Sequence, residues 1–408
     1  MIGYALLAPR QNNRWLSKNP GASGELRRTE QAHDCTISAI SPGRRSLVGD
    51  AKNLKSCQNG IDSFAGGQQA RYALRRRSSR GMVFERRRQG MRGSGTFAFC
   101  NPGELAVGLA DLRMHVLITG PGRFYASLTQ LECRIMRLAL VHEALPRIVH
   151  LSLPPGTAGI LFATRKRQTA MIVGQALDFG KLAVLGAGYQ CYMRSPADFD
   201  WASITFRPEQ LGEQHRPAGI ALDDPDSFQM IQLHSANLRR LQRLCRHAAN
   251  AVHRAPDLLR ATASARGFED ALVEIVVACL SDGAGLQPDL RQRARVWTMN
   301  RLHDLLCAEG ESRLRALDPA TIPGVSRRSL RTICREHLGM TLEGFLRLQK
   351  MNRTRLELEC ADSKASTVKA IAAKSGFHEP GRFAVQYRKL FGESPSATLR
   401  RNTALDAS

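Results

Sequence analysis

The feature that most constrains the fold of this chain is a pattern of small and apolar residues that occurs twice near the C-terminus. Each copy has a small Ala, a Gly four residues later, an apolar anchor, and a second Gly nine residues after that anchor: Ala320, Gly324, Leu330 and Gly339, then Ala372, Gly376, Phe383 and Gly392. The Ala allows two helices to cross closely, and the first Gly permits a tight turn between them. The pattern predicts two helix-turn-helix units joined by a helical run from Leu342 to Leu358.

The second copy indicates what each unit offers to a partner. Pro380 suits the first turn of its longer helix, where a missing N–H costs nothing. That helix has apolar and aromatic residues on one face and Arg382, Gln386 and Lys389 on the other. Because Arg can hydrogen-bond guanine, Gln adenine and Lys phosphate, this face suits the DNA major groove. A single basic helix face is more often simply solvated, and the repetition of the unit is what favours DNA reading.

Four short motifs mark the two units: Gly324-Val325-Ser326, His337-Leu338-Gly339-Met340-Thr341, Ile371-Ala372 with Gly376-Phe377, and Phe391-Gly392-Glu393-Ser394-Pro395. Together they resemble the AraC/XylS family of transcription regulators, over about the last ninety residues. The resemblance implies a helix-turn-helix protein that binds promoter DNA, usually as a dimer and often under an effector-sensing N-terminal domain. It places the two reading helices at Ser326 to Leu338 and Pro380 to Leu390.

The resemblance and the helix faces together predict the DNA contacts. The predicted base contacts are Arg327, Arg328 and Arg331 in the first reading helix, with Ser326 at its start, and Glu379, Arg382 and Gln386 in the second. The predicted phosphate contacts are Lys350, Arg353, Arg388 and Lys389. Loss of a base contact should relax one position of the recognised site, whereas loss of a phosphate contact should weaken binding to every sequence.

Two residues depart from the family pattern. Pro323 lies in the leading helix of the first unit, where it removes a backbone donor and clashes one turn back, so we expect a short or distorted helix. Lys350 stands where the family usually has Arg, which weakens any bidentate contact there. The sequence therefore leaves open whether the first unit reads bases.

Composition bounds the rest of the chain. Its 408 residues leave room for two or three domains. The 59 Lys and Arg against 36 Asp and Glu give a formal net charge of +23, which favours polyanionic partners. The ten cysteines are scattered without a C-x-x-C pair, which favours reduced thiols in a cytoplasm over a disulfide framework. Together with the predicted DNA binding, this predicts a cytoplasmic, nucleoid-associated protein. No apolar run is long enough to span a membrane, and the apolar start is too short for a signal peptide.

Residues 1–108 are poor in periodic apolar residues and rich in Gly, Ser, Gln and Arg. Such a segment buries too little apolar surface to offset chain entropy, so we expect a disordered basic arm. It contains a dense cationic run: Arg71, Arg75, Arg76, Arg77, Arg80, Arg86, Arg87, Arg88 and Arg92. The arm is either a non-specific DNA-binding element or a mis-assigned extension, with translation beginning at Met91 or Met114.

Residues 109–215 contain short apolar runs at regular spacing with turn signals between them. They predict a β-rich domain, either an antiparallel sandwich or a small barrel. The resemblance implies that this is a sensor domain, often a cupin-like barrel. Its small-molecule effector is unknown. His115, His142 and His150 lack the spacing of metal ligands, so neither a metal nor a cofactor is expected.

Residues 216–295 predict a helical linker, with residues 296–402 forming the double helix-turn-helix domain. Helices are expected over Asp224 to Arg254, Phe268 to Leu280 and Arg291 to Ala308. These helices form either an ordinary packing layer or, as the resemblance favours, a dimer interface.

The predicted fold class is therefore α+β and multidomain: a disordered basic arm, a β-rich sensor domain, a helical linker and an all-α C-terminal domain. The sequence lacks G-x-S-x-G, H-E-x-x-H and P-loop motifs, so an enzyme is not expected. The resemblance implies a sequence-specific transcription regulator that binds double-stranded promoter DNA as a homodimer, with RNA polymerase as a further candidate partner. The alternative is a non-specific nucleic-acid-binding protein driven by the basic arm.

Overall fold

The computed structural model describes residues 94–405, except positions 110, 213–214, 216–218, 255–261, 283–289, 309–321, 323 and 364. Three predictions lie outside the described residues: the arm up to residue 93 with its arginine run, the alternative start at Met91, and the leading helix of the first unit with Ala320 and Pro323.

Two antiparallel sheets form the centre of the described chain. Their strands are β1 Gly95–Phe99, β2 Arg113–Ile118, β3 Ala126–Glu132, β4 Met136–Glu143, β5 Arg147–Ser152, β6 Ala158–Ala163, β7 Ala170–Ile172, β8 Gln175–Leu177, β9 Lys181–Leu185, β10 Gln190–Ser195, β11 Phe199–Phe206 and β12 Phe228–Gln232. One sheet has the strand order β1-β3-β4-β11-β6-β9-β12 and the other the order β2-β5-β10-β7-β8. Leu128, Val149 and Trp201 belong to one core that both sheets share, so the domain is a β-sandwich.

Strand β11 explains why the sequence of this domain shows apolar runs rather than strict alternation of apolar and polar residues. All eight of its residues are buried. Phe199 and Trp201 pack in the core between the sheets, while Ala202 and Ile204 pack on the outer face of the seven-stranded sheet. A strand covered on both faces has no position that needs to be polar.

The described helices are α1 Pro102–Gly108, α2 Ser235–Arg254, α3 Thr262–Ser281, α4 Leu290–Ala308, α5 Arg327–Leu338, α6 Leu342–Cys360, α7 Val368–Lys374, α8 Pro380–Phe391 and α9 Pro395–Leu405. Helices α2 and α3 cover the outer face of the seven-stranded sheet, where Leu241 and Ile275 pack with Ile204. Within the described residues, no helix combines the length and the apolarity needed to cross a bilayer.

Helices α4, α5 and α6 cover the outer face of the five-stranded sheet. Met299, Leu330 and Phe345 pack there with Tyr192 of β10. The described chain is therefore layered as helices, sheet, sheet and helices, and the two predicted reading helices, α5 and α8, belong to the last layer.

Two segments differ from the sequence prediction. The end of the predicted disordered arm forms β1 and α1, and β1 pairs with β3 so that Phe97 lies opposite Leu128. A chain starting at Met114 would therefore lack an edge strand of the larger sheet. Phe228–Gln232 was predicted to be helical but is strand β12, paired with β9. Its short apolar run fits both periods, and burial on both faces of the sheet decides for the strand.

Candidate nucleic-acid interface

The start and the end of each reading helix are set by residues at its two termini. Helix α5 is capped by Ser326, whose hydroxyl accepts a hydrogen bond from the backbone N–H of Ser329 at 3.0 Å. Helix α8 begins with Pro380. Each helix ends at a glycine with left-handed backbone, Gly339 with a φ of 71° and Gly392 with a φ of 75°. The result is two helices of 12 residues each, at the predicted positions.

Helix α5 separates an apolar side from a basic side. Its buried residues are Leu330, Ile333, Cys334, His337 and Leu338. Arg327, Arg328 and Arg331, the predicted base contacts, are all exposed. The helix is thus anchored through one face and offers arginines on the other.

Helix α8 is anchored by aromatic rings. Phe383, Tyr387 and Phe391 are buried, and successive ring centroids lie 5.5 and 4.6 Å apart. The Tyr387 hydroxyl lies 2.9 Å from the hydroxyl of Thr398 on α9, which satisfies the buried polar end of that ring. Helix α8 therefore has a fixed position on the domain before any partner binds.

The predicted contact residues of α8 lie on its outer side. Arg382, Arg388 and Lys389 are exposed, while Gln386 is partly exposed. The guanidinium of Arg382 lies 3.9 Å from the carboxylate of Glu379, and both side chains are mostly in solvent, so the ion pair contributes little. Glu379 precedes the helix without a side-chain capping hydrogen bond. Arg382 and Glu379 can therefore give up their ion pair for contacts with DNA at little loss of free energy.

A groove of about 460 Å³ lies between α6 and α8. Its polar lining comprises Arg347, Lys350, His378, Glu379, Arg382 and Gln386. The structure thus brings four predicted residues together and adds Arg347 and His378, which sequence reasoning missed. Arg347 could have been predicted from the sequence, because it lies one helical turn before Lys350 and shares its face of α6. His378, in the turn, had no such signal.

Two predicted phosphate contacts have partners inside the domain. The Lys350 ammonium donates to the backbone oxygen of Gly376 at 2.9 Å and lies 4.7 Å from the centroid of the Phe377 ring. The Arg353 guanidinium lies 3.5 Å from the Glu357 carboxylate. Lys350 therefore ties α6 to the second unit, whereas the ion pair of Arg353 lies within α6 itself. A role of either residue in holding phosphates stays a prediction.

Comparison with known proteins identifies this region. Residues 320–401 match a protein family described as a helix-turn-helix domain. The C-terminal region is an AraC-type helix-turn-helix domain. The match spans both reading helices and the connecting helix α6.

Curated relatives and solved structures are similar to this chain over different shares of its length. The XylDLEGF operon transcriptional activator 1 of Pseudomonas putida is 40% identical over 77 residues, 19% of this chain and 23% of that protein. The probable thc operon regulatory protein of Rhodococcus erythropolis is 38% identical over 97 residues, 24% of this chain and 29% of that protein. The chain thus spans less than a third of these relatives. The AraC-like transcriptional activator CuxR aligns with 64% of this chain and 94% of its own, at 16% identity and a TM-score of 0.36.

The AraC-type domain is joined to the β-sandwich through Asn352 of α6, a residue that sequence reasoning missed. The side-chain oxygen of Asn352 accepts from the Ile118 N–H at 3.0 Å, and its amide donates to the Ile118 carbonyl at 3.2 Å. Ile118 ends β2, an edge strand of the five-stranded sheet. Asn352 therefore satisfies backbone groups that a sheet edge leaves unpaired.

A cluster of buried histidines lies between this sheet and α4. The rings of His150 and His303 stack with centroids 3.6 Å apart, and His303 Nδ1 lies 2.9 Å from the Tyr192 hydroxyl. Burial lowers the pKa of His115 and His303, and burial with the neighbouring His115 lowers the pKa of His150 to about 3. All three are therefore neutral near pH 7. In the part of the chain that the structure describes, no group of three or more His, Cys, Asp or Glu is arranged to hold a metal ion.

Proposed function

We propose that this chain is a sequence-specific DNA-binding transcription regulator that inserts α5 and α8 into successive major grooves of promoter DNA. The observation that supports this best is the repetition. Two helices of equal length, each ended by a left-handed glycine, bury an apolar face and expose cations. A single basic face is explained by solvation, whereas a pair joined by one connecting helix matches two grooves of one duplex.

The proposal assigns roles by exposure and position. Base reading falls to the exposed arginines of α5 and, on α8, to Arg382 and Gln386, which lie one turn apart and share the groove lining. Arg388 and Lys389 lie farther along α8 and are assigned to phosphates. Lys350 and Arg353 are weaker phosphate candidates, because each would first have to leave its partner in the domain.

The proposal includes a homodimer, and we assign its interface to α4 on the basis of the apolar side chains exposed there. Helix α4 exposes Trp297 by 53% and Leu290 by 83%, whereas no large hydrophobic side chain among the described residues of α2 is exposed. Aromatic and apolar surface of this kind is what a dimer interface buries. Light scattering of the wild type and of Trp297→Ser tests this placement, and an unchanged dimer in the variant contradicts it.

The remaining partners are assigned more coarsely. We place the regulator in the cytoplasm, on nucleoid DNA, with RNA polymerase as a protein partner. A cavity in the β-sandwich beside Gln130 and Arg137 measures about 10 Å³, enough for no more than one water molecule. An effector would therefore need a site other than this cavity.

The decisive experiment is a binding selection from random duplex DNA at near-physiological salt. The full chain and a chain beginning at Ser94 are compared, since a start at Ser94 keeps β1 in the sheet whereas a start at Asp111 removes it. Both chains should enrich one motif with two half-elements about one helical turn apart.

The alternative function predicts a different outcome of the same selection. If the Arg-rich arm drives non-specific binding, the shortened chain should lose most of its affinity and neither chain should enrich a motif. Binding by the full chain would then fall steeply with added salt. That result would reject the regulator and support a nucleic-acid-packaging role.

A further inference from the structure

The two reading helices carry a methyl-bearing residue at the same place. Counted from the anchors Leu330 and Phe383, the residue two positions later is Thr332 in α5 and Val385 in α8. Both are exposed, and the Val385 side chain is 70% exposed, which is unusual for a large apolar residue. Neither residue is part of the contact set assigned above.

Each of these residues lies in the middle of a cationic face. Val385 has Arg382 one turn before it and Arg388 and Lys389 one turn after it, all exposed. In α5, Thr332 has Arg328 one turn before it and Arg335 one turn after it, both exposed. Single exposed apolar residues are ordinary on protein surfaces. Two exposed methyl-bearing residues at equivalent positions, each with cationic side chains one turn before and one turn after, call for a shared explanation.

The hydroxyl of Thr332 is already used by its own helix. It donates to the backbone carbonyl of Arg328 at 3.2 Å. The hydroxyl proton of Thr332 is thus already used, and the methyl group is the feature that Thr332 shares with Val385. Gly381, one turn before Val385, has no side chain, and a Cβ built there would meet nothing within 4 Å. Helix α8 can therefore approach a surface closely at this turn.

We propose that Val385 and Thr332 each contact the C5-methyl group of a thymine, one in each major groove. Thymine is the base that presents a methyl group in the major groove, and apolar side chains and the Thr methyl recognise it by contact. The arginines around each residue would hold the flanking guanines or phosphates. This inference rests on the proposed function and extends it, because it specifies a thymine in the middle of each half-element.

The test uses the full chain and the DNA site recovered by the selection. Each thymine of the site is replaced singly by deoxyuridine, which removes only the methyl group, and dissociation constants are measured by fluorescence anisotropy. The wild type should lose about four-fold in affinity at one thymine of each half-element, the effect of about one buried methyl group. Val385→Ala should bind the original site about four-fold more weakly and lose nothing further when its own thymine is replaced.

Thr332 offers a matched pair of variants. Thr332→Ser keeps the hydroxyl and removes the methyl group, so it should behave like Val385→Ala at the thymine of the other half-element. Thr332→Val keeps a methyl group and removes the hydroxyl, so it should retain the response to deoxyuridine. Thymines outside the two half-elements serve as controls and should show no effect in any variant.

The outcomes separate this inference from the proposed function. If no motif emerges from the selection, the regulator itself is rejected. If a motif emerges without thymine in the half-elements, or if the variants respond to deoxyuridine like the wild type, the thymine contacts are rejected while the regulator stands. Removal of the deoxyuridine response by Val385→Ala and Thr332→Ser, at different half-elements, supports both contacts.

Discussion

The two helix-turn-helix units differ in what surrounds their reading helices. In the second unit the rings of Phe377, Phe383, Tyr387 and Phe391 contact one another in sequence, with centroids 4.8, 5.5 and 4.6 Å apart. These rings adjoin the core of the sandwich, but their contacts with one another lie within the AraC-type domain. The second unit therefore supplies the aromatic anchor of its own reading helix.

The first unit depends more directly on the sheet beneath it. Leu330 and Cys334 of α5 pack in the same cluster as Leu117 and Tyr192, which come from the five-stranded sheet. The ring of Tyr192 also meets Phe345 of α6 edge to face at 5.7 Å. A change in the sandwich should therefore reach α5 more strongly than α8, and the predictions below test this difference.

The largest effect is expected from Phe383→Ala. The side chain is 2% exposed and lies between two other rings, so truncation should destabilise the domain by about 3–5 kcal/mol. Chemical denaturation measures this loss, and the binding selection should lose the half-element read by α8. Val385→Ala on the same helix is the control, with a change in stability within about 0.5 kcal/mol. A Phe383→Ala domain as stable as its control would contradict an aromatic anchor.

A substitution in the sheet tests the dependence of the first unit. Ile148 of β5 is 2% exposed in the cluster beneath α5, so Ile148→Ala should cost about 2–5 kcal/mol. Hydrogen exchange should then quicken in α5 more than in α8. Ile160→Ala is a matched control, because Ile160 is 1% exposed on the opposite side of the sandwich, under α2 and α3. Equal quickening of α5 and α8 in Ile148→Ala would show that the units do not differ.

Arginine substitutions in α5 and α8 test whether both helix-turn-helix units contact bases. Arg382→Ala should cost about 1–3 kcal/mol on the preferred site and relax one base position. Arg331→Ala should do the same in the other half-element if the first unit reads bases. Titrations against a set of singly altered sites measure both. An equal loss on all sites would make either arginine a phosphate contact, and a loss of specificity in α8 alone would leave the first unit as a positioning element.

The ends of the reading helices could be predicted because they depend on neighbouring residues. Ser326 caps α5, and Gly339 and Gly392 end α5 and α8 at the predicted residues, since capping and left-handed backbone are local chemistry. The fold class was predictable for the same reason, from runs and spacings within each segment. The assignment of particular side chains to bases and phosphates stays a prediction, because it depends on a partner.

The contacts between domains could not be predicted from local pattern. Asn352 and Ile118 are 234 residues apart, and nothing in either segment indicates the other. The same limit explains β12, because the choice between strand and helix for Phe228–Gln232 is made by pairing with β9. The histidine cluster likewise assembles from β2, β5 and α4, whose histidines have no ligand-like spacing along the chain.

Because of the histidine cluster, we expect the packing of the first unit on the five-stranded sheet to weaken in acid. The pKa of His150 is lowered by burial from its ordinary value of 6.5 to about 3, so the folded state favours the neutral ring. The stability that the neutral His150 ring contributes is therefore fully present above about pH 6.5 and is lost as the pH falls toward 3. Each such histidine contributes at most about 1.4 kcal/mol per pH unit in that window.

Hydrogen exchange at pH 7 and pH 5, corrected for intrinsic rates, measures this acid response. Protection should fall in α4 and α5 before it falls in α8. His150→Gln should reduce the response, because the pKa values of His115 and His303 stay lowered by burial, and His247→Gln, at an exposed position outside the cluster, is the control. Loss of protection in α8 at the same pH as in α5 would contradict the difference between the units.

The smallest expected effect is that of Lys389→Gln, which separates a phosphate contact from a base contact on one helix. Lys389 is exposed at the C-terminal end of α8, away from the groove that holds Arg382 and Gln386. Neutralising one phosphate contact should weaken binding about equally on all sequences and reduce the slope of log affinity against log salt by about 1.

The selected motif should stay unchanged, in contrast to Arg382→Ala. A relaxed base position in Lys389→Gln would move base reading toward the end of α8, and an unchanged salt slope would remove Lys389 from the interface.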